Sequence, residues 1–186
     1  MPGWLCPPWL GYLLASPVRR LVHKPERILA GLVAPGMTAL DVGPGMGFFA
    51  LPMARMVGAS GRVICVDVQE AMLRSLRRRA EAARLGDRII TRLCSAASLG
   101  LADLAGTVDF VLAFAVVHEM PDVPNFFAQI AQVTKPGARC LIAEPKEHVS
   151  AQGFEETLKV ARGKGFNIVD RPRISGSHAA LLAHQD

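Results

Sequence analysis

The residues of this 186-residue chain that most clearly suggest chemistry are three closely spaced glycines and one later aspartate. The stretch Asp41-Val42-Gly43-Pro44-Gly45-Met46-Gly47-Phe48 follows an apolar strand-like run and precedes a helical one. Glycine lets the backbone turn sharply and approach a ligand with no Cβ in the way. Amides near the start of the following helix then face that ligand. Asp67 ends the next apolar run, about twenty residues beyond Gly47, where a carboxylate can accept hydrogen bonds from ribose hydroxyls. A glycine loop alone is a common strand–helix turn, but loop, strand context and Asp67 together point to a nucleoside-containing cofactor. The dinucleotide pattern Gly-x-Gly-x-x-Gly/Ala needs a small sixth residue for close helix–strand packing. Here that position is Phe48 and the third glycine comes one residue early, which argues against a nicotinamide dinucleotide.

Candidates for acid–base work lie further on. His118 and Glu119 follow the fourth apolar run, and His148 follows the fifth. Imidazole titrates near neutral pH and a neighbouring carboxylate tunes it, so such a set suits a general base. Each also has a plain structural reading. His118 would cap a loop, Glu119 would be solvated, and His148 would bond locally ahead of a helix cap at Ser150. Asp109, near the start of its strand, reads as structural. The four cysteines, Cys6, Cys65, Cys94 and Cys140, are far apart with no C-x-x-C pair, so neither a metal site nor a disulfide framework is expected. Cys65 and Cys140 sit in apolar runs, where a thiol behaves as a small hydrophobe.

The elements that must position these residues alternate between strand and helix. A helix is expected over Pro25 to Val33, with Pro at its first turn. Strands are expected at Thr38–Val42, Arg62–Asp67, Arg88–Leu93, Val108–Ala115 and Cys140–Ala143. A helix at about Met46–Val57 follows the loop. The next, from about Gln69, buries Met72, Leu76, Ala80 and Ala83 at three- and four-residue spacing. Asp122 is placed to cap a helix burying Phe126, Ile130 and Val133 that stops at Lys135-Pro136-Gly137, and Ser150 one burying Phe154, Leu158 and Ala161. Phe166 to Ile174 and His178 to His184 read as a closing strand pair. Pro172 marks the first as an edge strand, since proline donates nothing to a ladder. This order implies an α/β fold with a mostly parallel sheet.

Length suits one domain with a substantial core, assigned to residues 25–186, behind a segment of residues 1–24. That segment, with Trp4, Trp9 and Tyr12, could fold over a substrate as a lid or dock on the core. Its apolar stretch contains Pro7 and Pro8, and Arg19 and Arg20 follow it, the reverse of a secretory signal. No run is long enough to cross a bilayer, and a cytoplasmic location is expected. A net charge of +5 leaves acidic partners open, but its main source, Arg74, Arg77, Arg78, Arg79 and Arg84, reads as one solvated helix face.

Asp41-Val42-Gly43-Pro44-Gly45-Met46-Gly47, Val66-Asp67, Val108-Asp109-Phe110-Val111-Leu112 and Thr134-Lys135-Pro136-Gly137 resemble the motifs of class I S-adenosylmethionine-dependent methyltransferases. The chain is similar to the small ubiquinone/menaquinone C-methyltransferase type. The resemblance implies a Rossmann-like, doubly wound seven-stranded sheet in the order 3-2-1-4-5-7-6, with strand 7 antiparallel. It implies S-adenosylmethionine as cofactor. Gly43, Pro44, Gly45 and Gly47 would hold its methionine portion with help from Asp41. Asp67 would hold the ribose, Val68 the adenine, and Ala113 and Phe114 the methionine side. Where the family often has an acid near the adenine amino group, this chain has Cys94-Ser95-Ala96, so Ser95 is the substitute candidate. In that strand order His118, Glu119 and His148 follow neighbouring strands and would face a small-molecule methyl acceptor.

Two other functions are compatible with the same cofactor. A nucleic-acid methyltransferase that acts on amino groups typically carries Asn/Asp-Pro-Pro-aromatic after strand four; here it is Val117-His118-Glu119-Met120-Pro121. A C5-pyrimidine enzyme needs a nucleophilic cysteine there, and few aromatics are available to stack on bases. The other alternative is a protein that binds S-adenosylmethionine without catalysis.

Overall fold

The computed structural model describes residues 23–185. All but the last two residues of the expected lid lie outside them, as does Cys6. In chain order the α-helices and strands are α1 (Pro25–Ile28), β1 (Thr38–Val42), α2 (Ala50–Met56), β2 (Arg62–Asp67), α3 (Glu70–Ala82), β3 (Ile89–Leu93), β4 (Val108–Phe114), α4 (Val123–Val133), β5 (Thr134–Pro145), α5 (Ala151–Arg162), β6 (Phe166–Asp170) and β7 (Ser177–His184). The strands form one seven-stranded sheet in the order β3-β2-β1-β4-β5-β7-β6. β1–β2, β2–β3 and β4–β5 run parallel, and β7 is antiparallel to both β5 and β6. This is the Rossmann-like order implied by the motifs. The described residues divide into two compact units, one ending at Cys94 and one beginning at Ser95.

In the first unit, every residue of β1 is buried, as are five of the six in β2. Such continuous burial is why these strands read as apolar runs and not as alternating ones. Helix α3 buries Met72, Leu73, Ser75, Leu76 and Ala80. Ala83, expected in that stripe, is only half-buried because the helix ends at Ala82. Two other expectations need correction. α1 is a single turn that stops well short of Val33, in front of Gly31 at φ +73°. α2 begins at Ala50 rather than Met46, since the preceding residues are spent on the glycine turn.

In the second unit, Asp122 and Ser150 cap their helices as expected. Asp122 accepts from the Asn125 amide at 2.9 Å, and Ser150 from the Gly153 amide at 3.1 Å. Phe126, Ile130 and Val133 of α4 are buried, as are Phe154, Leu158 and Ala161 of α5. Phe127 meets Phe166 of β6 with ring centroids 6.0 Å apart, and burying each such ring stabilises by about 1.5–3 kcal/mol. α4 does stop before Lys135-Pro136-Gly137, but β5 starts at once, at Thr134, and runs on to Pro145. The expected Cys140–Ala143 is only its centre. Lys135-Pro136-Gly137 forms an irregularity in the β4–β5 ladder, which jumps from Val108↔Thr134 to Phe110↔Arg139, the kind of place where a strand tolerates proline. Lys135 Nζ donates to Asp109 there at 2.5 Å, so Asp109 is structural. β6 is an edge strand, but it ends at Asp170 and Pro172 lies past it.

Candidate functional site

The first unit carries the glycine loop. Gly43, Gly45 and Gly47 have φ of +69°, +54° and +90°, a region in which a side chain costs roughly 1–2 kcal/mol. The chain turns on the Gly47 amide, which donates to the Pro44 carbonyl at 3.0 Å, while the Gly43 amide donates to Val66 of β2 at 2.9 Å. The three glycines differ in what surrounds them. A Cβ on Gly45 would meet nothing within 4 Å, so the loop presents bare backbone to open space there. A Cβ on Gly47 would collide with Leu76 of α3, so this glycine admits a helix side chain against the loop. Arg79 of α3 also donates from Nη1 to the Met46 carbonyl at 2.7 Å.

Asp67 is drawn to the same loop. The residue is only 9 % exposed, and burial, the largest influence, pushes its pKa up. Hydrogen bonds from the amides of Gln69, Gly45 and Val68 pull it back down, the first at 2.9 Å. The acid and the loop therefore form one cradle. Val68 beside it exposes an apolar side chain, 38 % accessible. Asp41, in β1, is buried. Bare backbone at Gly45, an acceptor at Asp67 and an apolar surface at Val68 fit the sulfonium amino acid, ribose and base of S-adenosylmethionine respectively.

The second unit holds the acid–base candidates, organised by a residue the sequence reading overlooked. Glu144, near the end of β5, is 1 % exposed. Its Oε1 accepts from the amides of Val116 and Val117 at 3.2 and 2.8 Å, and its Oε2 from Nδ1 of His118. The turn that delivers these donors leaves β4 through Ala115, whose φ of +58° is unusual for a residue other than glycine. Its amide is held by the Ala143 carbonyl at 2.7 Å. The cost of that conformation, roughly 1–2 kcal/mol, is offset by charge-assisted bonds to a buried carboxylate. His148, in the turn after β5, stacks on His118 with ring centroids 5.4 Å apart and planes at 22°. The hydrogen bond from His118 to Glu144 raises the imidazole pKa. Partial burial opposes this, and the charges of Glu144 and Glu119 add to it. His118 is thus bonded to one buried acid, with His148 on its ring face and the charge of Glu119 acting on it. The only sequence signal for Glu144 is a lone acid between Ala143 and Pro145, one residue past the expected end of the strand.

The remaining candidates are placed as follows. Ala113 is fully buried in β4 and Phe114 is 8 % exposed. The Ser95 hydroxyl accepts from the Ser98 amide at 3.1 Å in a tight turn. Pro44 is buried in the loop. Cys65 and Cys140 are fully buried; burial raises both thiols, Cys140 to about 12, and Cys94 to about 11. None of these three is poised as a thiolate nucleophile or soft metal ligand. Among the described residues, no cluster of three His, Cys, Asp or Glu side chains could hold a metal ion, and no helix is long and apolar enough to cross a membrane. The arginine run is only partly a solvated face. Besides Arg79, Arg77 donates to Thr91 at 2.7 Å and to Glu70 at 2.5 Å.

Comparison with known proteins agrees with this layout. The methyltransferase domain family matches residues 40–142, more than half of the chain. The demethylmenaquinone methyltransferase of Symbiobacterium thermophilum is 34% identical over 116 residues, 62% of this chain and 45% of that protein. The nocamycin O-methyltransferase of Saccharothrix syringae is 33% identical over 60% of this chain and 39% of its own length. The chain therefore spans less than half the length of either relative. A crystal structure of a SAM-dependent methyltransferase from Aquifex aeolicus superposes with a TM-score of 0.83 at 26% identity, covering 95% of this chain and 97% of that one. With the strand order, the glycine loop and the paired Asp67 already in place, the chain belongs to the methyltransferase domain family and has the class I, S-adenosylmethionine-dependent methyltransferase fold.

Proposed function

We propose that this protein binds S-adenosylmethionine in the cradle of Gly43, Gly45, Gly47 and Asp67 and methylates a small-molecule acceptor. The observation that carries the reading is a buried Asp67 carboxylate at the end of β2 beside a glycine loop that is bare at Gly45, which puts an open backbone surface and a hydroxyl acceptor in one place. Asp67 and Val68 orient the nucleoside, and Ser95 lies just beyond β3, where an adenine contact is proposed. Asp41, Ala113 and Phe114 complete the proposed set. Bound there, S-adenosylmethionine supplies an electrophilic methyl group on its sulfonium. The protein's tasks are then to align the acceptor, exclude water and receive a proton where the acceptor carries one into the reaction.

His118 is the proposed proton acceptor, with His148 stacked on its ring and Glu119 adding negative charge. The names of two relatives, for demethylmenaquinone and nocamycin, favour an organic acceptor of modest size. Two of the five arginines behind the nucleic-acid reading, Arg77 and Arg79, make contacts within the fold, which favours the small-molecule reading.

The test is to incubate the protein with methyl-labelled S-adenosylmethionine and a metabolite extract, and to identify the labelled product. Label in a small molecule supports the reading. Label only in added RNA, or none despite tight cofactor binding, rejects it. In the same assay, His118→Gln is expected to lose turnover on the order of 10²–10⁴-fold while keeping cofactor affinity. His148→Gln separates stacking from proton transfer, with a smaller loss.

A further inference from the structure

We propose that Glu144 is the positioning residue of this site, fixing the neutral tautomer of His118 so that the proton sits on Nδ1 and Nε2 is left as the base. The inference rests on reading His118 as the proton acceptor. An imidazole is useful as a base only if the nitrogen offered to the substrate is the bare one, and the bond made by the other nitrogen decides this. Nδ1 of His118 faces Oε2 of Glu144, and a carboxylate can only accept. The proton of neutral His118 therefore belongs on Nδ1.

Glu144 is itself held in place. Its Oε1 is engaged by two backbone amides, from Val116 and Val117, so the carboxylate cannot rotate away without orphaning buried donors. The same two bonds fix the turn that carries His118, and residue 118 follows directly on those amides. His148 lies against the ring face, which restrains the plane of the imidazole without competing for either nitrogen along the ring edge. The charged and titratable groups around His118 are Glu144 from β5, Glu119 from its own turn and His148 from the turn after β5. Of these, Glu144 contributes the hydrogen bond.

Glu144→Gln makes a distinctive test. The amide oxygen must keep accepting from Val116 and Val117, so the amide NH₂ is turned toward His118. Nδ1 must then accept, and the ring proton moves to Nε2. The fold is kept and the base is inverted. Long-range ¹H–¹⁵N correlation spectra of the ligand-free protein at alkaline pH report the tautomer directly. The wild-type protein is expected to show the Nδ1–H form of His118, and Glu144→Gln the Nε2–H form with a lower pKa. A wild-type His118 carrying its proton on Nε2 overturns the proposal and needs no variant to fold. An unchanged tautomer and pKa in Glu144→Gln overturn it as well. In the labelled-methyl extract assay, Glu144→Gln is expected to lose turnover as severely as His118→Gln with little change in cofactor affinity. If His118→Gln loses turnover and Glu144→Gln does not, the positioning role is wrong. If His118→Gln keeps its turnover, the reading of His118 as base is what fails.

Discussion

Arg79 of α3 reaches back to the glycine loop and donates from Nη1 to the Met46 carbonyl, 2.7 Å away. This carbonyl sits between two glycines that both hold positive φ, so it needs a donor to define its direction. The guanidinium supplies one from a helix that also packs Leu76 against the loop at Gly47. Helix α3 therefore braces the loop twice, once by charge and once by packing. Arg79→Ala is expected to cost about 1 kcal/mol of stability, the scale of one hydrogen bond at a half-exposed position, and to weaken S-adenosylmethionine binding through loss of loop order. Arg74→Ala and Arg78→Ala, at exposed positions of the same helix, should stay within about 0.5 kcal/mol of wild type. Urea unfolding of the three variants checks this. Equal effects in all three would return the whole run to a solvated face.

Gly45 and Gly47 should fail in different ways. Gly47→Ala forces a methyl into Leu76 and adds backbone strain, so its expected loss is in stability, at about 2 kcal/mol or more. Gly45→Val meets no protein atom, yet stands where the loop faces open space. It should cost mainly the conformational penalty of roughly 1–2 kcal/mol and lose most of its affinity for the cofactor. Calorimetric titration with S-adenosylhomocysteine, alongside thermal unfolding, separates the two. Normal binding by folded Gly45→Val would put the cofactor elsewhere.

Much of this layout was legible because burial writes a periodic signature. β1, β2 and the centre of β5 are continuous apolar runs, and Asp122 and Ser150 announce helix starts by type and position. The strand order came from motif resemblance, since alternation of elements does not say which strands neighbour one another. Two contacts at the candidate site were hidden for physical reasons. Arg79 looks like any other arginine of its run until the loop carbonyl it meets is known. Glu144 follows an apolar run, where an acid normally means that the strand has reached solvent. It stays buried because Val116, Val117 and His118 bring it three donors from the turn after β4, and no local pattern contains that information. Pro172 misled in the opposite direction. It correctly suggested an edge, but β6 ends at Asp170, before the proline.

Asp67 sets binding against stability. Its pKa is raised chiefly by burial, so the ligand-free fold binds this proton more readily than the unfolded chain does. The stability associated with that shift is fully present below the unfolded pKa, about 4, and is lost as pH rises through the higher folded value. At neutral pH the carboxylate is therefore a destabilising group, which its proposed role in holding the cofactor accounts for. Asp67→Asn should be at least as stable as wild type at pH 7 while binding S-adenosylmethionine roughly 1–3 kcal/mol more weakly, the scale for removing a charged hydrogen-bond partner. Chemical unfolding and calorimetry on the same samples test both halves. A variant that is less stable at pH 7 but binds normally would contradict both.

The His118–Glu144 pair makes an opposite kind of pH prediction, because here the shift comes from a favourable partner. Folding raises the imidazole pKa, mainly through the bond to Glu144, with the charges of Glu144 and Glu119 adding to it and burial opposing. The stabilisation is fully present below the unfolded value, about 6.5, where the imidazolium is formed. It is lost as pH rises through the higher folded value, because the neutral ring keeps the hydrogen bond but not the charge. Against His118→Gln, the wild-type protein should hold its largest stability advantage near pH 6, and that advantage should shrink steadily above pH 7. Removing the charge of Glu119 by Glu119→Gln should move the decline to slightly lower pH, since one of the two acids raising the pKa is gone. Denaturant unfolding of the three proteins between pH 6 and 9 measures this directly. A wild-type advantage that stays flat across that range would mean that His118 does not titrate against Glu144 at all.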